Sequence, residues 1–181
     1  MIIVMGLPGA GKSTVLQSLS QKTDYKIINY GDLMLEIEKK EGWVKTRDEI
    51  RKLSIEKQKQ AQKLVANKLS KEKGKLILDT HCSISTPNGY YPGLPFEFLK
   101  MLRVDNLIYV TAKPDEIVAR RKGDATRIRD AQPLEAIIEH GNMDRYYLAA
   151  YSAFTGAPAI IIYNQQGKLE NTVEKLSSML K

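Results

Sequence analysis

The chain has 181 residues, 43% of them apolar, which is about the size of one domain with one sizeable hydrophobic core. Its only cysteine is Cys82 and no run of 18 apolar residues occurs, so the composition excludes an internal disulfide, a four-cysteine zinc site and a membrane-spanning helix. The formal net charge of +7 favours anionic partners, and we expect a soluble, cytoplasmic, single-domain protein over residues 1–181.

Five short apolar runs alternate with longer stretches of helical periodicity along the chain. This alternation is the βαβ pattern, in which parallel strands are buried between two layers of helices. The sequence therefore predicts an α/β fold with a parallel five-stranded sheet and helices on both faces. The predicted strands lie at residues 2–5, 27–28, 76–78, 106–110 and 159–163.

Capping residues and helix breakers predict where the helices begin and end. Gly42 ends the second helix, and Thr46 with Glu49 three residues later forms a capping box that predicts the start of a third. Pro114 and Pro133 suit helix starts, and residues 123–132 between those two helices are predicted to be a loop. The other predicted helices cover residues 13–23, 32–41 and 170–180.

Residues 6–13 match the phosphate-binding pattern G-x-x-x-x-G-K-[ST] at every fixed position. The segment follows a predicted strand and opens a predicted helix, where backbone N–H groups and the helix dipole can point at a phosphate. Lys12 is expected to reach the β- and γ-phosphates of ATP, and the Ser13 hydroxyl is expected to bind Mg²⁺. The predicted ATP-binding residues are Gly6, Leu7, Pro8, Gly9, Ala10, Gly11, Lys12, Ser13 and Thr14.

A carboxylate follows the third apolar run: Asp79 ends the segment Leu76 to Asp79. At the end of a strand beside the loop, this aspartate suits the Mg²⁺ shell together with Ser13. The alternative is an aspartate that only caps a turn.

The rest of the sequence limits which class of protein with such a loop this chain can be. No Asn-Lys-x-Asp element that would read a guanine base occurs, and no glycine lies three residues after Asp79, so we do not expect a switch GTPase. A helicase or a motor usually needs a longer chain for its second lobe. A small kinase fits the length.

Two groups of arginines could bind the anionic groups that a kinase must hold. Arg47 and Arg51 are four residues apart, on one face near the start of the predicted third helix. The second group lies around the loop after the helix at Pro114, and its members are Arg120, Arg121, Arg127 and Arg129. Arginine suits a transferring phosphoryl group because its planar fork donates two hydrogen bonds and keeps its charge. For both groups the alternative is a network of surface salt bridges.

Four segments, together with the phosphate loop, resemble the archaeal type of adenylate kinase over the whole chain. They are Asn29-Tyr30-Gly31-Asp32, Arg47-Asp48-Glu49-Ile50-Arg51, Asp79-Thr80-His81 and the stretch from Thr86 to Pro95. The resemblance implies a P-loop nucleoside monophosphate kinase that transfers a phosphoryl group from MgATP to AMP and gives two ADP. It also implies a homotrimer.

The resemblance places functional residues by position. It puts the acceptor AMP on helices within residues 30–73 and at the neighbouring strand end, against Asp32, Arg47, Arg51, Asp79 and His81. It puts Arg120 over the ATP base and makes Arg127 and Arg129 the arginines of a short lid, about residues 123–132, that closes over the phosphates. We group Lys12 and these three arginines as the catalytic set. For His81, a buried or hydrogen-bonded histidine is the alternative to an AMP ligand.

Two other functions compete with AMP phosphorylation. One is a kinase for another monophosphate, CMP or dTMP, because no residue reads the adenine edge by a known rule. The other is an ATPase factor acting on RNA, which would use the positive charge, although we do not expect nucleic acid to be the main partner. The stretch Tyr90 to Pro95 could line the binding site of a nucleotide base, contact a neighbouring subunit or be a plain surface loop.

Overall fold

A parallel five-stranded sheet forms the centre of the protein, as the sequence predicts, in a computed structural model that describes residues 1–46, 49–50, 53–123 and 133–180. The strand order is β2-β3-β1-β6-β7, and a separate antiparallel hairpin joins β4 to β5. The strands are β1 (Ile2–Gly6), β2 (Lys26–Asn29), β3 (Leu76–Asp79), β4 (Ser83–Thr86), β5 (Gly89–Pro92), β6 (Asn106–Thr111) and β7 (Ala159–Tyr163).

Helices cover the sheet on both of its faces. They are α1 (Lys12–Ser20), α2 (Tyr30–Lys40), α3 (Ile55–Lys71), α4 (Phe96–Leu99), α5 (Pro114–Gly123), α6 (Leu134–Thr155) and α7 (Leu169–Ser178). In the parts of the chain given above, none of these helices has the length and apolar character needed to cross a membrane.

Two hydrophobic cores lie on opposite sides of the sheet, and β1 contributes to both. Ile3 and Met5 pack into the core under α2, α3 and α6, whereas Ile2 and Val4 pack into the core under α1 and α7. Every residue of β1 is buried, as expected for a central parallel strand with helices on both faces. This burial explains why the strands appear in the sequence as continuous apolar runs.

The prediction that the third helix begins at Thr46 is wrong. The long helix α3 begins at Ile55, where the side chain of Ser54 caps it. The carboxylate of Glu49 instead accepts a hydrogen bond from the backbone N–H of Lys45 at 2.6 Å, and this bond lowers the pKa of Glu49. The capping residues therefore stabilise a local turn before the helix.

Tyr90 to Pro92 belong to strand β5, so of the three readings of Tyr90 to Pro95 the plain surface loop does not hold for these residues. Strand β5 pairs with β4 from Ser83↔Pro92 to Thr86↔Gly89, and Gly89 turns the chain with a φ of 109°. The hydroxyl of Tyr147 on α6 donates to the carbonyl of Tyr90 at 2.6 Å. The hairpin is thereby held against α6.

A buried carboxylate joins the hairpin, the sheet and α6. Asp144 accepts hydrogen bonds from Ser83 Oγ at 2.5 Å and from the hydroxyl of Tyr109 at 2.9 Å. Burial raises the pKa of Asp144. These bonds offset part of the cost of burying the carboxyl group.

Candidate active site

The predicted phosphate loop lies between the end of β1 and the start of α1. Gly9 and Gly11 have φ values of 94° and 83°, a backbone conformation that residues other than glycine rarely adopt. Gly6 is required for a different reason, because a Cβ atom there would lie 2.5 Å from the carbonyl oxygen of Val110 on β6. The loop thus needs its glycines both for its turns and for its close contact with the sheet.

Lys12 forms an ion pair with Asp79, and both side chains are largely buried. The pair joins the start of α1 to the end of β3, which are close because the loop follows β1 and Val4 of β1 is in register with Asp79. Asn29 Nδ2 donates a second bond to the Asp79 carboxylate at 2.8 Å. The lysine and the carboxylate that the sequence marks as functional therefore meet at the carboxyl edge of the sheet, where open α/β sheets bind ligands.

The predicted Mg²⁺ ligands lie at the same edge. Ser13 is exposed in the first turn of α1, and the Asp79 carboxylate ends β3. A hydroxyl and a carboxylate are hard oxygen donors of the kind that Mg²⁺ binds together with phosphate oxygens. The donor set at this edge therefore fits the ion.

Two consecutive arginines at the end of α5 reach back to the phosphate loop. Arg120 Nη1 donates to the Ala10 carbonyl at 3.1 Å, and its Nη2 donates to the Asn164 carbonyl at 2.9 Å. Arg121 donates to the Pro8 carbonyl through Nε at 2.9 Å and Nη2 at 2.6 Å. The sequence placed Arg120 and Arg121 in one arginine group, but it did not indicate that they bind the loop's backbone.

Asn164 is a site residue that sequence reasoning missed. Its buried side chain donates from Nδ2 to the Ala10 carbonyl at 2.9 Å, and a Cβ atom on Gly11 would collide with that same nitrogen. No local sequence signal indicates this contact, because 154 residues separate its two partners.

The acceptor side of the predicted site is described in part. Asp32 lies in the first turn of α2, where its N–H donates to the side chain of Asn29 at 3.0 Å. Asn29 therefore caps α2 and also binds Asp79, a double role that sequence reasoning missed although Asn29-x-x-Asp32 resembles a capping pattern. His81 is exposed just after β3, so it is not a buried histidine, which leaves an AMP ligand or a hydrogen-bonded histidine.

Four predicted arginines lie outside the described residues. Arg47 and Arg51 were expected at the acceptor phosphate, and Arg127 and Arg129 in the short lid. Their roles stay predictions from the sequence.

Two solved structures with a similar fold are shikimate kinases. Shikimate kinase from Bacteroides thetaiotaomicron superposes with a TM-score of 0.61 at 17% identity, covering 99% of this chain and 97% of that chain. Shikimate kinase from Acinetobacter baumannii in complex with shikimate gives the same TM-score at 20% identity, covering 99% and 91%. At this level of identity the likeness shows the fold.

Sequence comparison gives a closer relationship. The family model described as an AAA domain matches residues 5–138. Adenylate kinase from Methanopyrus kandleri is 45% identical, covering 96% of this chain and 94% of that protein, and adenylate kinase from Thermoplasma volcanium is 41% identical, covering 99% and 98%. With this identity over nearly the full length, and with the phosphate loop and Asp79 together at the edge of the sheet, the chain belongs to the adenylate kinase family.

Proposed function

We propose that this chain transfers the γ-phosphoryl group of MgATP to AMP and gives two ADP. The observation that carries the proposal is the 40% to 45% identity to adenylate kinases over nearly the whole chain. It is supported by the loop between β1 and α1 and by the Lys12 to Asp79 ion pair at its mouth. The same identity favours AMP over CMP or dTMP as the acceptor.

On the donor side, residues 6–14 bind the phosphates of ATP through backbone N–H groups. Lys12 leaves the Asp79 carboxylate and contacts the β- and γ-phosphate oxygens, where charge develops during transfer. Mg²⁺ would be held by Ser13 and Asp79 and would neutralise phosphate charge. Asn29 keeps the Asp79 carboxylate in place, since it binds Asp79 independently of Lys12.

On the acceptor side, Arg47 and Arg51 bind the AMP phosphate, and Asp32 and His81 line the same site. The acceptor oxygen is thereby held in line with the γ-phosphorus, and positioning of this kind supplies much of the catalysis of phosphoryl transfer.

The remaining residues act on the transferring group and on access of water. Arg120, Arg127 and Arg129 neutralise negative charge over the phosphates, and the lid at residues 123–132 excludes water when both nucleotides are bound. The enzyme works in the cytoplasm as a homotrimer, a proposal that rests on the family resemblance.

The test of this function is dependence on the acceptor. The purified chain is incubated with MgATP and one of AMP, GMP, CMP, UMP or dTMP, and ADP formation is followed. Of the five monophosphates, only AMP is expected to give fast ADP formation from MgATP. Preference for CMP or dTMP would identify another monophosphate kinase, and phosphate release to water that responds to added RNA would identify an ATPase factor.

A further inference from the structure

The outward-facing carbonyl groups of the phosphate loop are bound by side chains from two distant parts of the chain. Asn164, just after β7, donates to the Ala10 carbonyl, and Arg121, at the end of α5, donates twice to the Pro8 carbonyl. We call Asn164 and Arg121 the carbonyl clamp. Neither residue is among those that the family resemblance places at a nucleotide, although Arg121 belongs to the arginine group after the helix at Pro114.

The clamped carbonyls precede the two glycines with unusual backbone conformation. The Pro8 carbonyl belongs to the peptide that carries the N–H of Gly9, and the Ala10 carbonyl belongs to the peptide that carries the N–H of Gly11. Both glycines have positive φ values, at 94° and 83°. Within a planar trans peptide the C=O and N–H groups point in opposite directions. Binding the carbonyl on the outside therefore directs the N–H to the inside of the loop.

We infer that Asn164 and Arg121 are positioning residues that orient the loop's N–H groups toward the phosphates of ATP. The inference rests on the proposed function, because it takes the loop to bind ATP. A rotated peptide would instead present a carbonyl oxygen to the phosphate, where the two negative groups repel. The clamp resists that rotation before ATP binds. The loop therefore loses less conformational entropy on binding, which favours affinity.

Asn164 is itself held by bonds that do not involve the loop. Its backbone N–H donates to the Thr111 carbonyl at 2.7 Å, and it is buried between β7 and α7. Arg120 also donates to the Ala10 carbonyl. If Arg120 moves to the nucleotide, Asn164 keeps that carbonyl in place, because a carbonyl oxygen accepts two bonds.

Equilibrium binding of ATP and of AMP to the full-length chain, measured by calorimetry, tests the clamp. Asn164→Ala is expected to weaken ATP binding about three- to tenfold, the loss expected for one hydrogen bond. Asn164→Asp is expected to weaken it more than the alanine change does, since the donor becomes a carboxylate facing the Ala10 carbonyl. AMP binding is expected to stay unchanged in both variants. Gln165→Ala, an exposed neighbour in the same connection, is the matched control.

Arg121 gives an independent measurement should the Asn164 variants fail to fold. Arg121→Ala and Arg121→Lys are both expected to weaken ATP binding severalfold, because lysine keeps the charge but lacks the planar fork. Normal ATP binding in Arg121→Lys would overturn the clamp in favour of simple charge attraction. Equal losses for ATP and AMP, or unchanged ATP binding in the folded Asn164 variants, would also overturn it. If the unsubstituted chain itself binds no ATP, the proposed function fails instead.

Discussion

At the scale of single residues, Lys12 at the start of α1 and Asp79 at the end of β3 neutralise each other. A buried lysine without a partner would pay a large desolvation cost, so the ion pair stabilises the loop before a nucleotide binds. Substitution of Lys12 therefore removes the proposed phosphate ligand and also leaves the Asp79 carboxylate without its cation.

Lys12→Ala is expected to lower turnover at least about a hundredfold, because the lysine contacts the transferring group most strongly in the transition state. Steady-state kinetics with MgATP and AMP measure the change, and circular dichroism checks the fold. Lys22→Ala is the control, since Lys22 forms only an exposed pair with Glu170. Near-normal activity in folded Lys12→Ala would contradict the proposed role of the loop.

Arg51→Ala is expected to raise the KM for AMP far more than the KM for ATP. Loss of one charge-assisted contact costs about 1.5 to 3 kcal/mol, or roughly ten- to a hundredfold. The prediction rests on the sequence, as Arg51 lies outside the described residues. Initial rates with each nucleotide varied in turn provide the measurement, with the exposed Arg103→Ala as the control. An equal rise in both constants would place Arg51 in the lid or in the core of the fold.

At the scale of elements, α2 carries a buried acid that the proposed reaction does not use. Glu38 is fully buried, and neither carboxylate oxygen has a hydrogen-bond partner among the residues described. Burial raises the pKa of Glu38 above that of the unfolded chain. The protonated form is therefore favoured in the folded state, and folding loses stability as the pH rises and the group must ionise.

Glu38→Gln is consequently expected to change the Tm little at pH 4 and to raise it at pH 8. Removing an unpaired buried charge is worth about 1 to 3 kcal/mol, which corresponds to several degrees for a chain of this size. Thermal melts across that pH range provide the measurement, and Glu36→Gln on the exposed side of α2 is the control. A lower Tm for Glu38→Gln at pH 8 would show that the carboxylate has a favourable partner.

The short lid gives a prediction for the segment before α6. A bisubstrate analogue that links two adenosines through five phosphates is expected to slow amide hydrogen exchange across residues 120–132, because its phosphates give Arg127 and Arg129 partners of opposite charge. Arg129→Ala should then lower kcat more than it lowers AMP affinity. Exchange that is equally slow without the analogue would show that these arginines do not gate the site.

Elements were predictable from the sequence where one local property decides them. The central strands β1, β3 and β6 are buried on both faces, so each is a largely apolar run, whereas the edge strands β2 and β7 are partly exposed but keep a short apolar core. The hairpin was missed because its strands are polar and half exposed, although Asn88-Gly89 is a known turn signal. The start of α3 was misplaced because the Thr46 and Glu49 pattern is equally suited to a turn.

The residues of the candidate site also divide into those that a local sequence pattern predicts and those that it does not. Residues 6–13 and Asp79 have local patterns and were predicted. The Asn164 contact depends on how the strand ends come together, which no short pattern encodes.

At the scale of the whole molecule, the proposed trimer is supported by large apolar side chains on the surface. Ile84 and Tyr91 pair across the hairpin and are 49% and 56% exposed. Phe96 and Phe154 contact each other with tilted rings, 3.9 Å between centroids, and are exposed as well. Exposed apolar groups of this size often mark contacts between proteins.

Sedimentation analysis is expected to give a species of three times the 20.4 kDa chain mass. The mass should stay constant over a wide range of protein concentration, because oligomers with large apolar interfaces dissociate little. A single-chain mass at every concentration would contradict the trimer without affecting the proposed reaction.

The central position of β1 has a consequence for how the chain is made. Ile2 pairs with Ile77 on one side and with Asn106 on the other, so its strand gains its first neighbour 75 residues later and its second only 104 residues later. Pairings this distant in sequence slow folding, because the chain must lose the entropy of closing a long loop before the stabilising contacts form. The nascent chain therefore carries the apolar strand β1 unpaired until β3 has been made. Asn164 emerges later still, so the loop gains this support only after all five strands of the sheet have been made.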